Sequence, residues 1–252
     1  MECPRAAVFD LDDTLAESFK PPSVETLAAL RQLLDAIPVA IMTGAGFPRM
    51  QAQFLPALAN APHIGRFYLF PTSASQCYVC NGGTWQQIYN VKLSPEERER
   101  IKDAVLKVVD SSEMFRGIPH YGEQMIDREA QVAYTLVGIE APADVKRDWD
   151  PDGSKRRQLR DALQKTIPEF EILLGGTTTV DITKKGINKT YGIRWLSEHL
   201  NVPPEEMLYV GDAFFEGGND AIVTSTGIKT RAVSGPQETL RILNELNDVC
   251  AA

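Results

Sequence analysis

The sequence predicts an α/β fold in which a doubly wound parallel sheet carries an inserted α+β domain. Three observations lead to this prediction. Short apolar runs alternate with helical patterns at both ends of the chain, a pattern typical of antiparallel strands interrupts them in the middle, and three of the apolar runs end in polar residues. The length of 252 residues allows either one large domain or two smaller ones.

The outer parts of the chain predict the parallel sheet. The apolar runs AAVF, PVAIM and RFYLF are separated by the helical patterns SVETLAALRQLLDA and FPRMQAQFLPALA. The order strand, helix, strand favours right-handed crossovers between parallel strands. The same pattern returns near the C-terminus with NKTYGIRWLSEHL, EMLYVGD, GIKTRAVS and PQETLRILNELNDV. We therefore expect a Rossmann-like core domain formed by residues 1–76 and 183–252.

The middle of the chain, residues 77–182, predicts the inserted α+β domain. It begins with SQCYVCNGGTWQQIYNVKL, which is typical of two strands joined by an Asn-Gly-Gly turn. An amphipathic helix with proline in its first turn follows, SPEERERIKDAVLKVVDS. The strand pattern QVAYTLVGI, the helix SKRRQLRDALQKTI and the strands FEILLG and TTVDIT complete the block. Because this block lies between two parts of one parallel sheet, the core domain is discontinuous.

The composition of the chain limits the classes of ligand that it is expected to bind. A formal net charge of −8 argues against binding to nucleic acid or to an anionic membrane, because both need clustered Lys and Arg. An anionic ligand would therefore need a local positive site. No apolar run approaches the roughly 20 residues that span a bilayer, and the first residues do not resemble a secretory signal. We expect a cytoplasmic protein that is a monomer or a homodimer.

The pair Cys77 and Cys80 could be read as a redox or zinc motif, because its sequence is CYVC. Residues three apart on a strand face opposite sides of the sheet, and no second pair of Cys or His follows at ligand spacing. We therefore interpret both as ordinary strand cysteines.

Carboxylates are concentrated directly after the first apolar run, at Asp10, Asp12 and Asp13. Like charges so close together raise one another's pKa, so a fold keeps them together when a cation lies among them. Carboxylate oxygens are the ligands that Mg²⁺ prefers. Polar residues also follow two other predicted strands, in TGAG and GDAFFEGGND. The carboxyl ends of parallel strands line one crevice, so these three segments should meet there, together with the lysine-containing segment KKGINK.

In these residues the chain resembles the haloacid dehalogenase superfamily, in its phosphotransfer branch. The large α+β insert is similar to the superfamily's C2 cap, and GGND resembles the group of sugar phosphatases and phosphomannomutases. The superfamily's four motifs match the following positions in order: Asp10-Leu11-Asp12-Asp13-Thr14, Thr43, Lys189, and Asp212 with Asn219 and Asp220.

The resemblance implies a magnesium-dependent phosphatase that works through an aspartyl-phosphate. Asp10 would be the nucleophile, and Asp12 would protonate the leaving oxygen and then activate water. The metal would be held by the Asp10 carboxylate, the Asp12 backbone carbonyl and Asp212, with Thr14 in support. The role of Asp13 stays open, since many relatives carry Gly there.

The remaining motif residues would hold the phosphate. Thr43 and the Gly44 amide would bind its oxygens, and Lys189 would offset charge on both the nucleophile and the phosphoryl group. Asn219 would also help to bind it, and with Asp220 it would orient Lys189 and metal-bound water. Lys184 and Lys185 compete with Lys189 for the lysine role. We favour Lys189 because it lies at a helix start, at the spacing that the superfamily uses.

The expected substrate is a small phosphorylated metabolite, in particular a sugar phosphate. Arg128 is the first cap residue expected to reach it, because DREAQVAYTLVGI resembles a strand pair in the phosphomannomutase cap. Other polar cap residues that could reach it are Arg116, Gln124, Gln131 and Tyr134.

Two reactions stay open, hydrolysis and mutase chemistry. In phosphomannomutases the cap strand continues into a Gly-Arg pair that helps to clamp a second phosphate, whereas this chain has Gly138-Ile139-Glu140. The missing arginine favours hydrolysis. A module without catalytic activity is disfavoured because no essential motif position is lost.

Overall fold

The computed structural model describes residues 2–18, 20–58, 60–81, 83–215 and 217–251. The chain divides into two compact units. The core unit comprises Met1–Asn90 and Lys189–Ala252, and the cap unit comprises Val91–Asn188. Both boundaries lie later in the chain than the predicted ones, which were residues 76/77 and 182/183.

The secondary structure follows the predicted alternation. The strands are β1 (Ala6–Phe9), β2 (Val39–Met42), β3 (Phe67–Phe70), β4 (Gln76–Asn81), β5 (Thr84–Asn90), β6 (Met125–Asp127), β7 (Val132–Thr135), β8 (Phe170–Gly175), β9 (Thr179–Lys184), β10 (Met207–Gly211) and β11 (Lys229–Ala232). The helices are α1 (Val24–Ala36), α2 (Phe47–Leu58), α3 (Pro71–Ala74), α4 (Pro95–Ser111), α5 (Ala143–Trp149), α6 (Ser154–Thr166), α7 (Lys189–Leu200) and α8 (Pro236–Cys250).

The core unit is built on a seven-stranded sheet with the order β11-β10-β1-β2-β3-β4-β5. Strands β11, β10, β1, β2 and β3 pair in parallel, as the crossover pattern predicts. Strand β1 lies between β10 and β2, so the segments that follow these three strands leave the sheet side by side. The predicted motif residues that follow these three strands are therefore expected at one edge of the sheet.

The hairpin β4–β5 belongs to the core sheet and not to the cap, which corrects the predicted domain boundary. Strand β4 pairs antiparallel with β3, and β5 extends the edge beyond it. The pattern of the hairpin indicated antiparallel strands correctly, but local periodicity does not reveal which sheet a hairpin joins. Of the predicted Asn-Gly-Gly turn, Gly82 lies outside the described residues.

The central strands of the core sheet are buried on both faces, and successive side chains of each strand point to opposite faces. One face packs on α1, α2 and α8, and its strand residues include Phe9, Ile41 and Val210. The opposite face packs on α7, and its strand residues include Met42 and Tyr209. Strands buried on both faces explain why the sequence shows continuous apolar runs here instead of alternation.

The cap unit has a four-stranded antiparallel sheet with the order β6-β7-β9-β8. One face of this sheet packs on α4 and α6 through a separate apolar core. Helix α4 starts with a capping box in which Ser94 and Glu97 satisfy each other's backbone amides, which explains why the helix begins at Pro95. The cap thus has a hydrophobic core of its own, as expected of a domain.

The cysteines behave in two ways. Cys77 and Cys80 are buried and unbonded, in agreement with their interpretation as strand cysteines. Cys3 and Cys250 form a disulfide across 247 positions of sequence, which the sequence analysis did not predict. Their spacing carries no local signal, because Cys3 precedes β1 and Cys250 ends α8, and only the folded chain brings these two segments together. Among the described residues, no helix is both long and apolar enough to cross a membrane.

Candidate active site

The predicted motifs converge at the carboxyl ends of three neighbouring strands. Asp10 follows β1, Thr43 follows β2, and Asp212 follows β10. Parallel pairing sets Phe9 beside both Ile41 and Val210, so the residues that come next emerge at one edge of the sheet. This is the crevice in which open α/β sheets bind ligands.

Lys189 joins two carboxylates at the centre of the site. Its Nζ donates to Oδ1 of Asp10 at 2.7 Å and to Oδ1 of Asp220 at 2.6 Å. All three side chains are almost completely buried. Lys189 is the first residue of α7, where a positive charge opposes the helix dipole, so these two carboxylates compensate an otherwise unfavourable position.

Tyr209 and Gly211 fix Asp220, and sequence reasoning missed both. The Tyr209 hydroxyl donates to Oδ1 of Asp220 at 2.6 Å, while the Ala213 amide donates to Oδ2 at 3.0 Å. A Cβ added at Gly211 would lie 2.3 Å from the same Oδ2, so only glycine lets the carboxylate approach. The available signal was a phenolic residue within the otherwise apolar strand β10.

Thr14 links the first motif to the last. Its hydroxyl donates to Oδ1 of Asp212 at 2.9 Å, across 198 positions of sequence. Carboxylate oxygens of Asp10, Asp212 and Asp220 lie within 4.8 Å of one another. The predicted acidic cluster is therefore assembled in the folded chain.

The electrostatics of the cluster call for additional positive charge. Burial raises the pKa of Asp10 well above its ordinary value; the charges of Asp220 and Asp212 add to the rise, and Lys189 opposes it. Burial, followed by the charge of Asp220, raises the pKa of Asp212 to about 6. Burial alone would lower the pKa of Lys189, but Asp10 and Asp220 outweigh it and hold that pKa above its ordinary value. One ammonium thus faces three carboxylates.

The donor set fits a hard divalent cation such as Mg²⁺. Asp10 and Asp212 offer carboxylate oxygens, which Mg²⁺ prefers. Both oxygens of Asp220 already accept hydrogen bonds, so its role is to orient its neighbours. The Oδ1 of Asn219 is buried and finds no hydrogen-bond partner among the described residues, as expected for an oxygen that meets a metal, its water or a substrate.

Thr43 lies in a loop that is tied to the end of β3. The Thr43 amide donates to the Phe70 carbonyl at 3.1 Å, and the Thr43 hydroxyl accepts from the Ala45 amide at 3.1 Å. Gly44 stands between the two. The loop therefore has a fixed shape, and phosphate binding by Thr43 and Gly44 stays a prediction.

The short element α3 is a strained left-handed turn and not a regular helix, and it supports this loop. Thr72, Ser73 and Ala74 have φ of 52°, 55° and 64°, in the left-handed region, and all three are buried. Such a conformation costs of order 1–3 kcal/mol for each non-glycine residue. The amides of Thr72 and Ser73 donate to the carbonyls of Ala45 and Thr43, which holds the turn against the loop. The strained backbone of residues 72–74 therefore lies beside the loop that is predicted to bind phosphate.

Asp12 is paired with an arginine that the sequence analysis did not single out. Nη1 and Nη2 of Arg49, in the first turn of α2, donate to Oδ2 and Oδ1 of Asp12 at 3.0 and 2.6 Å. The neighbouring Asp13 has φ of 58°, and its carboxylate accepts from the Ser18 amide and hydroxyl. Asp13 therefore shapes the turn, at a positive φ that Gly would adopt without strain.

Several predicted residues lie in the cap unit. Lys184 forms an ion pair with Glu97 of the cap, and Lys185 forms one with Glu171. Lys189 is therefore the lysine that contacts Asp10.

The cap residues that could reach a substrate have partners within the cap. Arg128 donates to the Gln131 side chain at 2.8 Å. Gln124 donates to the Leu136 carbonyl, Arg116 to the Asp110 carbonyl, and Tyr134 is buried in the apolar core of the cap. The prediction that Tyr134 reaches a substrate is wrong, because its ring packs between sheet and helices.

The cap segment that lacks the expected arginine has a defined shape. Gly138 has φ of 84°, and a Cβ there would lie 2.1 Å from the Tyr121 carbonyl oxygen, so the turn requires glycine. The next side chain, Ile139, is 42% exposed. An apolar side chain is therefore exposed where the resemblance leads us to expect the arginine of a Gly-Arg pair.

Comparison with known proteins finds one family along most of the chain. The family model described as eukaryotic phosphomannomutase matches residues 26–249. The phosphomannomutase of Spinacia oleracea is 23% identical over 249 residues, which cover 95% of this chain and 94% of the relative. Phosphomannomutase 2 of Dictyostelium discoideum is 24% identical, with 94% of each chain covered. The family match begins after β1, so the placement of Asp10 and Asp12 depends on the contacts described above.

Solved structures share the fold. IMP-bound, N-terminally truncated IMP-nucleotidase from Plasmodium falciparum has a TM-score of 0.75 at 17% identity, covering 96% of this chain and 68% of that chain. Sucrose-phosphatase from Synechocystis, in complex with sucrose and phosphate, has a TM-score of 0.54 at 17% identity, covering 99% and 91%. At these identities the likeness concerns the fold alone, and it confirms the predicted α/β class.

Proposed function

Because the chain belongs to the eukaryotic phosphomannomutase family, within the haloacid dehalogenase superfamily, we propose that it transfers phosphoryl groups from a small phosphorylated sugar. The transfer passes through an aspartyl-phosphate on Asp10 and requires Mg²⁺. The observation that carries this proposal is the buried contact of 2.7 Å between Lys189 Nζ and Asp10 Oδ1, at the edge where three parallel strands end.

In the first step an Asp10 oxygen attacks phosphorus. The bond between Asp10 and phosphorus forms while the bond between phosphorus and the sugar oxygen breaks, and Asp12 donates its proton to that leaving oxygen. Lys189 offsets the charge on the nucleophile and the phosphoryl oxygens. In the second step an acceptor hydroxyl gives its proton to Asp12 and takes the phosphoryl group, which restores Asp10.

Asp10, Asp212 and the Asp12 carbonyl are the groups that would hold Mg²⁺. When bound, the cation neutralises charge on the phosphoryl oxygens and lets Asp10 stay ionised despite its burial. Thr14 and Asp220 keep Asp212 and Lys189 in place for this purpose. Asn219, Thr43 and Gly44 supply further groups for the phosphate.

The acceptor in the second step decides the reaction, and the residues at positions 138–140 of the cap are our reason for proposing water. A mutase holds a doubly phosphorylated sugar, so its cap needs a strong cationic clamp for the distal phosphate. Here the exposed Ile139 occupies the matching position, and the carboxylate of Glu140 follows it. A negative charge there repels a second phosphate. On this ground we propose hydrolysis.

A phosphosugar mutase is the second candidate, and the family match favours it over hydrolysis. The relatives that align along nearly the whole chain are named phosphomannomutase. In a mutase, Arg128 of the cap would help to hold the second phosphate.

One experiment separates the two reactions. The protein is incubated with Mg²⁺ and mannose 1-phosphate or glucose 1-phosphate, with and without the matching 1,6-bisphosphate, and both inorganic phosphate and the 6-phosphate are followed. Phosphate release without isomerisation supports hydrolysis. Rapid formation of the 6-phosphate with little free phosphate identifies the mutase. The Asp10→Asn variant is the matched control, and turnover by that variant would reject the whole proposal.

The location and the oligomeric state stay predictions. We propose a cytoplasmic monomer or homodimer that meets no nucleic acid and no membrane. Because disulfides persist mainly in oxidising compartments, we expect Cys3 and Cys250 to be adjacent reduced thiols in the cytoplasm and to pair only on exposure to an oxidant. Gel filtration and thiol quantification on protein purified without reductant test both statements.

A further inference from the structure

The contact between Arg49 and Asp12 has the geometry of a fork. Two guanidinium nitrogens donate to the two carboxylate oxygens, at 3.0 and 2.6 Å. The Arg49 and Asp12 side chains are 25% and 23% exposed, so water screens their attraction only in part. A planar guanidinium that binds both oxygens fixes the plane of the carboxylate as well as its position.

The contact with Asp12 compensates an unfavourable position of Arg49 on its helix. Arg49 is the third residue of α2, and the first turn of α2 has no acidic residue. A cation in a first turn is unfavourable because it meets the positive end of the helix dipole. The Asp12 carboxylate, which comes from a loop 37 positions earlier, offsets that penalty.

The base of α2 is also held firmly. Phe47, its first residue, stacks on Tyr78 of β4 with ring centroids 3.7 Å apart and an angle of 10° between the planes. The Arg49 amide donates to the Gly46 carbonyl. Arg49 therefore reaches Asp12 from an anchored backbone, which a group that orients another side chain requires.

We propose that Arg49 is a positioning residue that holds Asp12 as an oriented carboxylate for the second step of phosphoryl transfer. In that step the Asp12 carboxylate takes the proton of the attacking water or acceptor hydroxyl. Each carboxylate oxygen can accept more than one hydrogen bond, so the fork is compatible with proton acceptance. The inference rests on the proposed function and adds to it the group that prepares the base.

Positioning the base, binding the substrate and stabilising the fold would each affect a different step, so kinetics can distinguish these three roles of Arg49. With a leaving group that needs no protonation, a positioning role for the base slows breakdown of the aspartyl-phosphate and leaves its formation unchanged. A role in binding substrate would lower kcat/KM, which reports on the steps up to phosphorylation. A merely structural role would lower both rates together with the thermal stability.

The test uses p-nitrophenyl phosphate with Mg²⁺. Its leaving group, p-nitrophenolate, needs no protonation, so the rate at which the aspartyl-phosphate forms should depend little on Asp12 as an acid. For Arg49→Met we expect kcat to fall roughly tenfold or more, with kcat/KM unchanged and a burst of p-nitrophenolate in the first turnover. Arg49→Lys, which keeps the charge and loses the fork, should recover only part of the rate. Gln51→Met, an exposed change on the same helix, should behave as the wild type.

The outcomes are separable. Release of p-nitrophenolate by the wild type, and its absence in Asp10→Asn, tests the proposed function. With that satisfied, a fall in kcat/KM for Arg49→Met, parallel loss of both parameters, or full recovery by Arg49→Lys would overturn the positioning role.

Discussion

The Nζ of Lys189 lies 2.6 Å from Oδ1 of Asp220 and 2.7 Å from Oδ1 of Asp10, in a site where all three side chains are buried. The lysine therefore has two functions in one geometry. It compensates buried negative charge, and it places a cation beside the predicted nucleophile.

Replacing Lys189 with Met should remove both functions. We expect the free energy of unfolding to fall by about 3–5 kcal/mol at pH 8, because two buried carboxylates lose their partner. The loss should be smaller at pH 5, since the raised pKa of Asp10 lets that group take up a proton and become neutral. Denaturant unfolding at both pH values measures this. Lys185→Met, in an exposed ion pair, is the matched control, and an equal loss in the two variants would contradict the account.

The stability without metal should fall as pH rises through the titration of Asp212. Its pKa is raised from 3.8 to about 6, so between these values the folded state binds the proton that the unfolded state releases. The sign follows from linkage: stability decreases with rising pH across that window, by roughly 1–3 kcal/mol. Mg²⁺ binds the ionised form, so it should raise the melting temperature more at pH 7.5 than at pH 5. Thermal unfolding with EDTA or Mg²⁺ tests this, and an equal Mg²⁺ effect at both pH values would contradict it.

Asp13→Gly should leave both fold and activity nearly intact. Glycine adopts φ of 58° without strain, and this gain offsets the lost bonds from the Ser18 amide and hydroxyl. Asp13→Val should lose roughly 2 kcal/mol or more of stability and most activity, because a β-branched residue resists that conformation and displaces Asp12. Unfolding and steady-state rates check both variants. Inactive Asp13→Gly protein with normal stability would show that the carboxylate itself takes part in catalysis.

The convergence of the motifs could be predicted because it follows from general rules of parallel sheets. Continuous apolar runs identified β1, β2 and β10, and the carboxyl ends of such strands meet at one edge. The sequence alone therefore predicts that Asp10, Thr43 and Asp212 lie together. The choice of Lys189 over Lys184 and Lys185 rests on the helix start and on the spacing implied by the resemblance to the haloacid dehalogenase superfamily.

Other features depend on packing between distant segments, which local patterns do not encode. The hairpin β4–β5 joined β3 of the core sheet because of edge pairing, not because of its own sequence. The contacts of Arg49 with Asp12 and of Cys3 with Cys250 each join residues whose spacing is arbitrary. Tyr209 was hidden because a tyrosine in a buried strand looks like any other apolar position until its hydroxyl meets Asp220.

The central claim, a covalent phosphoryl group on Asp10, is tested most directly by trapping it. The protein is mixed with Mg²⁺ and a hexose phosphate, quenched with borohydride, which reduces an aspartyl-phosphate to homoserine, and digested for peptide mass spectrometry. The account predicts homoserine at position 10, and none when EDTA replaces Mg²⁺ or when the sugar phosphate is left out. Turnover without homoserine at position 10, or reduction at another carboxylate, would contradict it.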